Sequence, residues 1–169
     1  MIDKDFQNQI NAIKLQCSQK AGLLGVYRTT LENVLTGEKE IKYYHNIITD
    51  VGRALICNNL TDASPDNTMK IKYAVLGSDA TPVAIGDTQL GTETYRNAIA
   101  SATNASYVAY ATAYFNQTEV VGTFKEAGIV CDGTIAANSG VLFSHVNIDV
   151  TKTNVQKLTI DWVLTLLNA

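Results

Sequence analysis

Gln156-Lys-Leu-Thr-Ile-Asp-Trp-Val-Leu-Thr-Leu-Leu167 decides the fold class. Leu158, Ile160, Trp162, Leu164 and Leu166 alternate with Lys157, Thr159, Asp161, Val163 and Thr165. A period of two places one set on each side of a pleated backbone, so the segment is a half-buried strand. Working back from it, Val141–Val150, Val121–Val130 and Ala105–Phe115 are rich in β-branched and aromatic residues and read as further strands. The Gly, Ala and Asn residues of 131–140 mark a loop. In Ala105–Phe115, Tyr107, Ala109, Ala111, Ala113 and Phe115 face one way, and Val108, Tyr110, Thr112 and Tyr114 the other. Small residues on one face and tyrosines on the other predict a strand covered on both sides.

Nearer the N-terminus, Tyr95–Thr103 and Ile71–Leu76 read as strands, separated by a Gly- and Pro-punctuated loop over 77–92. Val26–Leu35 and Ile41–His45 form a hairpin around the turn Thr36-Gly-Glu-Lys39. Thr49 or Asp50 then caps a helix whose apolar face is Val51, Leu55, Ile56 and Leu60. Residues 61–69 are a loop. Ile2, Phe6, Ile10, Ile13 and Cys17 make one helical stripe over residues 2–20. A helix this short is marginal alone, so the stripe must dock on the chain's own body or on a neighbouring subunit. The expected plan is about eight strands and two helices. The late strands have no helices between them, so the expected fold is mainly β. It is an antiparallel, jelly-roll-like β-sandwich with an N-terminal helix and one helix after the first hairpin. Residues 1–22 form the docking helix. Residues 23–169 form the body, with the hairpin at 26–45, the helix at 48–60 and sheet strands over 70–167.

The chain has 169 residues, enough for one domain with a sizeable core. Charged residues are 17% of it, below the ~25% of typical soluble domains. A surface of Asn, Thr, Ser and Gln suits assembly, because fewer charges are desolvated at an interface. The net charge of −3 argues against sequence-independent nucleic-acid binding and an electrostatic membrane anchor. No apolar run is long enough for a membrane span, and the first residues show no secretion signal, so synthesis in the cytoplasm is expected. Cys17, Cys57 and Cys131 are too widely spaced for a disulfide framework and read as small hydrophobes. Two histidines a hundred residues apart do not make a zinc cluster. There is no G-x-S-x-G, P-loop or G-x-G-x-x-G. His145 alternates with apolar neighbours and reads as a structural histidine. The reading is a non-enzyme without cofactor or metal. Arg96 and Glu126 are charges within apolar strands and are expected to pair with each other.

Several segments resemble small tailed-bacteriophage virion proteins. Leu35-Thr-Gly-Glu38 followed by Asn46-Ile-Ile-Thr-Asp-Val-Gly52 is similar to that family's hairpin turn and helix start. Tyr73-Ala-Val-Leu-Gly77, Thr81-Pro82, Asp87-Thr-Gln-Leu90 and Glu93 to Arg96 resemble its middle stretch, departing at Leu76 and Ser78 where the pattern is smaller or richer in glycine. Gly122-Thr-Phe-Lys-Glu-Ala-Gly128 and Leu158-Thr-Ile-Asp-Trp-Val-Leu164 resemble two of its later strands. The resemblance covers about residues 25–167 and carries no catalytic residue with it. It implies a virion structural protein, tail-fibre or baseplate-associated, with capsid decoration as the alternative. Its partners are other virion proteins and further copies of itself, with a trimer expected. Docking falls to Ile2, Phe6, Ile10 and Ile13. If Tyr107, Tyr110 and Tyr114 face solvent, they offer an aromatic surface for a host glycan.

Overall fold

The computed structural model describes residues 3–16, 22–62 and 66–167. The elements run α1 (Lys4–Gln16), β1 (Gly22–Asn33), β2 (Lys39–Ile48), α2 (Asp50–Thr61), β3 (Ile71–Gly77), β4 (Glu93–Ala98), β5 (Ser101–Ala105), β6 (Val108–Phe115), β7 (Gly122–Cys131), β8 (Val141–Lys152) and β9 (Gln156–Leu167). The strands form one antiparallel sheet in the order β4-β3-β7-β8-β2-β1-β9-β6-β5. The chain is mainly β, as its alternating segments dictate. In place of two separate sheets, however, it has one sheet curled into a half-barrel. The physical reason lies in β2, which changes partner along its length. Lys39–Asn46 pair with β1, whereas Ile47 and Ile48 pair with His145 and Ser144 of β8. One strand thereby carries the ladder from the first half of the sheet (β2, β1, β9, β6, β5) into the second (β8, β7, β3, β4).

The single strand expected over 95–103 is broken by a corner at Ile99–Ala100. Ile99 N–H donates to Lys72 O in the second half at 2.8 Å, and Ala100 N–H donates to Thr112 O in the first half at 2.8 Å. Consecutive amides thus serve opposite halves. Asn97 Nδ2 donates to Tyr114 O at 2.6 Å and ties β4 to β6. The two outermost strands of the sheet are therefore neighbours in the chain, and the corner holds the curl.

The concave interior is the main core. Tyr27, Phe115, Leu158, Ile160 and Trp162 come from the first half, and Leu76, Ile129, Phe143 and Ile148 from the second. Phe143 meets Trp162 edge-on, with centroids 5.9 Å apart. The alanine face of β6 is buried in this core at Ala111 and Ala113, where small side chains let the halves close on one another. Helix α2 packs on β8 through Leu55 and begins at Thr49, whose Oγ1 accepts from Gly52 N–H at 3.0 Å. Leu60, expected on its buried face, is 79% exposed.

The convex face has two covers. Helix α1 lies on the first half, where Phe6 and Ile10 are fully buried against Leu24, Val26 and Val163 and Ile13 is partly buried. Of the two docking places open to the stripe, the chain's own body is the one used by Phe6 and Ile10, with Ile13 packed at the margin. Ile2 and Cys17 lie outside the described residues. Asp3 caps α1, its Oδ1 accepting from Phe6 N–H at 2.9 Å. Arg28 reaches both Asp3 and Asp161 and lies 4.5 Å over the Phe6 ring. On the second half the cover is the loop 78–92, whose Leu90 is buried against Val75, Val130 and Leu142.

Two outcomes follow for α1. Phe6→Ala should destabilise the isolated chain by about 3 kcal/mol in urea unfolding, the usual cost of emptying a buried aromatic site. An unchanged midpoint would mean that α1 contributes nothing to its own body. The Asp3 carboxyl is held below its ordinary value of 3.8, first by the Phe6 N–H and then by Arg28. A carboxyl lowered on folding contributes fully above its unfolded pKa and loses that contribution as pH falls through the lower folded value. Amide protection of α1 should therefore decline below about pH 4, and Asp3→Asn should flatten that dependence in hydrogen exchange.

Candidate functional site

Register brings a polar cluster onto the convex face of the second half. Gly77 stands opposite both Glu93 and Glu126, and Glu126 opposite Asn147. One step along, Val75 stands opposite Arg96 and Gly128, and Gly128 opposite His145. Glu126 lies flat across β3 because residue 77 is glycine: a Cβ there would come within 2.2 Å of Glu126 Oε1. The loop 78–92 closes over this row.

Glu126 is 2% exposed. A bare carboxylate in that position would cost several kcal/mol. Four donors compensate it. Oε1 accepts from Thr92 N–H at 2.8 Å and Asp79 N–H at 3.3 Å. Oε2 accepts from Gly91 N–H at 2.9 Å and lies 3.0 Å from His145 Nε2. Four contacts match the roughly four lone-pair sites of a carboxylate. His145 Nδ1 lies 2.8 Å from Asp87 Oδ2, which also accepts from Ala84 N–H at 2.8 Å. Asn147 completes the clasp, accepting from Val83 N–H and donating to Thr81 O, each at 2.9 Å. Three side chains from β7 and β8 thus hold four backbone N–H groups, one backbone carbonyl and the Asp87 carboxylate of the loop. Asp79 folds the loop's first turn, accepting from Thr81 N–H and Oγ1, and these bonds hold its carboxyl below the ordinary range.

A second clasp sits beside the first. Arg96 forks onto Glu93, with Nε to Oε1 at 2.6 Å and Nη2 to Oε2 at 2.8 Å, both side chains 4% exposed. Its Nη1 donates to Thr134 O at 2.8 Å and Ser139 O at 3.1 Å, and Asn138 N–H donates to Glu93 Oε2 at 3.0 Å. This pair holds the loop 132–140 as Glu126 holds 78–92.

Arg96 and Glu126 therefore do not pair with each other, as the sequence suggested. Each has a nearer partner. Residues three apart on a regular strand point to opposite faces, so Glu93 is not an obvious partner for Arg96. The structure solves this with a bulge. Tyr95 stands opposite Leu76 and Glu93 opposite Gly77, so Thr94 is an extra residue that turns Glu93 toward Arg96. The sequence reading missed Glu93 and Asp87 as charge partners, and its only signal for them was their acidity close to an apolar segment.

The three tyrosines do not make one surface. Tyr107 sits in the turn before β6, 61% exposed, with Lys14 Nζ 6.0 Å from its ring centroid. Tyr110 is half-buried against the α1 cluster, and Tyr114 is 53% exposed. Tyr110 and Tyr114 share a face but lie ~13 Å apart along the strand.

Chemically, the cluster is a clasp. Both ring nitrogens of His145 are engaged, Nδ1 by Asp87 and Nε2 by Glu126. A ring engaged on both sides has no lone pair to offer a substrate. Among the described residues, no group of three His, Cys, Asp or Glu side chains is arranged to hold a metal ion. Cys131 is buried and its thiol is pushed up to about 12, chiefly by desolvation, so it is a poor nucleophile. A groove of about 520 Å³ lies beside α1, bordered by Gln7, Thr103, Asn104, Tyr110 and Asp161. Comparisons of the chain with family models, curated proteins and solved structures give no match.

Glu126→Gln tests the clasp. The amide replaces one acceptor with a donor that faces N–H groups. The expected loss is about 2–4 kcal/mol of stability, with hydrogen-exchange protection lost first at Gly91 and Thr92. An unchanged melting temperature together with unchanged exchange would show that the loop does not depend on the carboxylate.

Proposed function

We propose that this chain is a non-enzymatic structural protein of a tailed-bacteriophage virion. It acts as a tail-fibre or baseplate-associated adaptor that self-assembles and docks on other virion proteins, after synthesis in the host cytoplasm. One observation carries the reading. Several residues that carry the resemblance, namely Asp87, Leu90, Glu93, Arg96 and Glu126, fasten two loops to the sheet. Their polar atoms are spent on one another and on backbone. A motif used in this way specifies a rigid scaffold. Rigid loops on a well-packed sheet are what an assembling particle needs from a component that must present the same surface in every copy. The low charge of the chain and its net −3 agree with a protein partner better than with nucleic acid.

A host-glycan module is the second reading, favoured by the groove beside α1. There the half-buried Tyr110 stands next to Thr103, Asn104 and Gln7, an aromatic wall with neutral polar groups. The deciding measurement is the number of copies of this chain in purified particles of the phage that encodes it, by quantitative mass spectrometry against the major capsid protein. A low ratio matching tail symmetry is expected. A ratio following the capsid lattice would make it a decoration protein. Absence from the particle would overturn the virion reading.

A further inference from the structure

The edge strand β5 is built unlike the rest of the sheet rim. Among the described residues it pairs only with β6, in regular register and without a bulge. All five residues, Ser101-Ala-Thr-Asn-Ala105, are exposed, and none is charged or proline. An open edge carries a row of unpaired N–H and C=O groups, and proteins normally blunt it with lysine, proline, a bulge or a cover. The opposite edge, β4, is blunted. It contains the Thr94 bulge and the Arg96–Glu93 fork, and Asn97 ties it to Tyr114. The two edges come from consecutive segments of one chain, yet only one carries these devices.

We propose that β5 is a pairing edge for a second copy of this chain. The two β5 strands lie antiparallel across a two-fold axis at Thr103, joining two sheets into one. The composition supports a like partner. Antiparallel pairing centred on Thr103 sets Ser101 opposite Ala105, Ala102 opposite Asn104 and Thr103 opposite Thr103. No like charges meet, and Thr–Thr is a favourable cross-strand pair. A charged partner strand would find nothing complementary on this edge. Ser101, Thr103 and Ala105 stand opposite Thr112, Tyr110 and Val108 in β6, so their side chains share the convex face and leave the backbone edge open. Five residues span ~17 Å, a short contact, so the dimer is weak and concentration-dependent. Isologous pairing closes at two copies, which departs from the trimer expected from the sequence. This inference stands on the strand alone and does not need the virion reading.

Light scattering coupled to gel filtration of the full chain, over a wide concentration range, tests it. The expected mass rises with concentration from 18.3 kDa to twice that value. Thr103→Lys sets two ammonium groups face to face and should abolish the rise at concentrations where the parent chain is dimeric, with an unchanged melting temperature. Thr103→Cys, in a background with Cys17 and Cys57 changed to serine, should give a covalent dimer under mild oxidation. That result does not depend on how the lysine variant folds. A monomer at every concentration, a threefold mass, a dimer indifferent to Thr103→Lys, or no cross-link through Thr103→Cys would each overturn the pairing. None of these results bears on the copy-number measurement.

Discussion

Glu126 sits in the middle of β7 with almost no access to water, and a carboxylate there is tolerable only when donors surround it. Three of its four donors are supplied by one loop: Asp79, Gly91 and Thr92 offer backbone N–H groups, and His145 comes from the neighbouring strand. The dependence runs both ways. The loop 78–92 has no regular secondary structure to hold it, so the carboxylate fixes its path. With the loop in place, Leu90 covers Val75, Val130 and Leu142, and the convex face of the second half becomes a second small core. The buried charge is therefore a point of organisation more than a source of net stability. Paired buried charges roughly offset their own desolvation, whereas one left without its partner costs several kcal/mol.

The same problem on the other half of the sheet is solved with apolar contact. Here α1 brings Phe6 and Ile10 down onto Leu24, Val26 and Val163. Burying two such side chains is worth roughly 3–6 kcal/mol, enough to hold a thirteen-residue helix that would be marginal alone. Arg28 adds charge contacts at the helix start through Asp3 and Asp161. One sheet thus has its concave face filled by its own two halves and its convex face covered by a helix at one end and an ordered loop at the other. Among the described residues, the rim at β5 is exposed, and so are Tyr114 and Ile41.

Much of this was legible in the residues. Period-two alternation placed β9 at its observed bounds, and Thr49 was one of two residues named as the cap of α2. The stripe of Phe6, Ile10 and Ile13 identified the buried face of α1. Arg96 and Glu126 were recognised as charges needing partners, because apolar neighbours leave a charge no other way to be satisfied. Their actual partners were not legible. Arg96 finds Glu93 only because an extra residue at Thr94 reverses a face, and Glu126 finds amides that carry no side-chain signature.

The sequence by itself determined the element types, the mainly β class and the set of charges that had to be compensated, because periodicity and burial cost act locally. Only the tertiary structure decided that the strands join into one curled sheet, that α1 docks on its own body, and which charge meets which. Those outcomes depend on β2 changing partner at Ile47, on a two-residue corner at Ile99–Ala100 and on a bulge at Thr94. Each is a matter of register between distant segments, and register is set by the sum of cross-strand contacts that no single stretch contains.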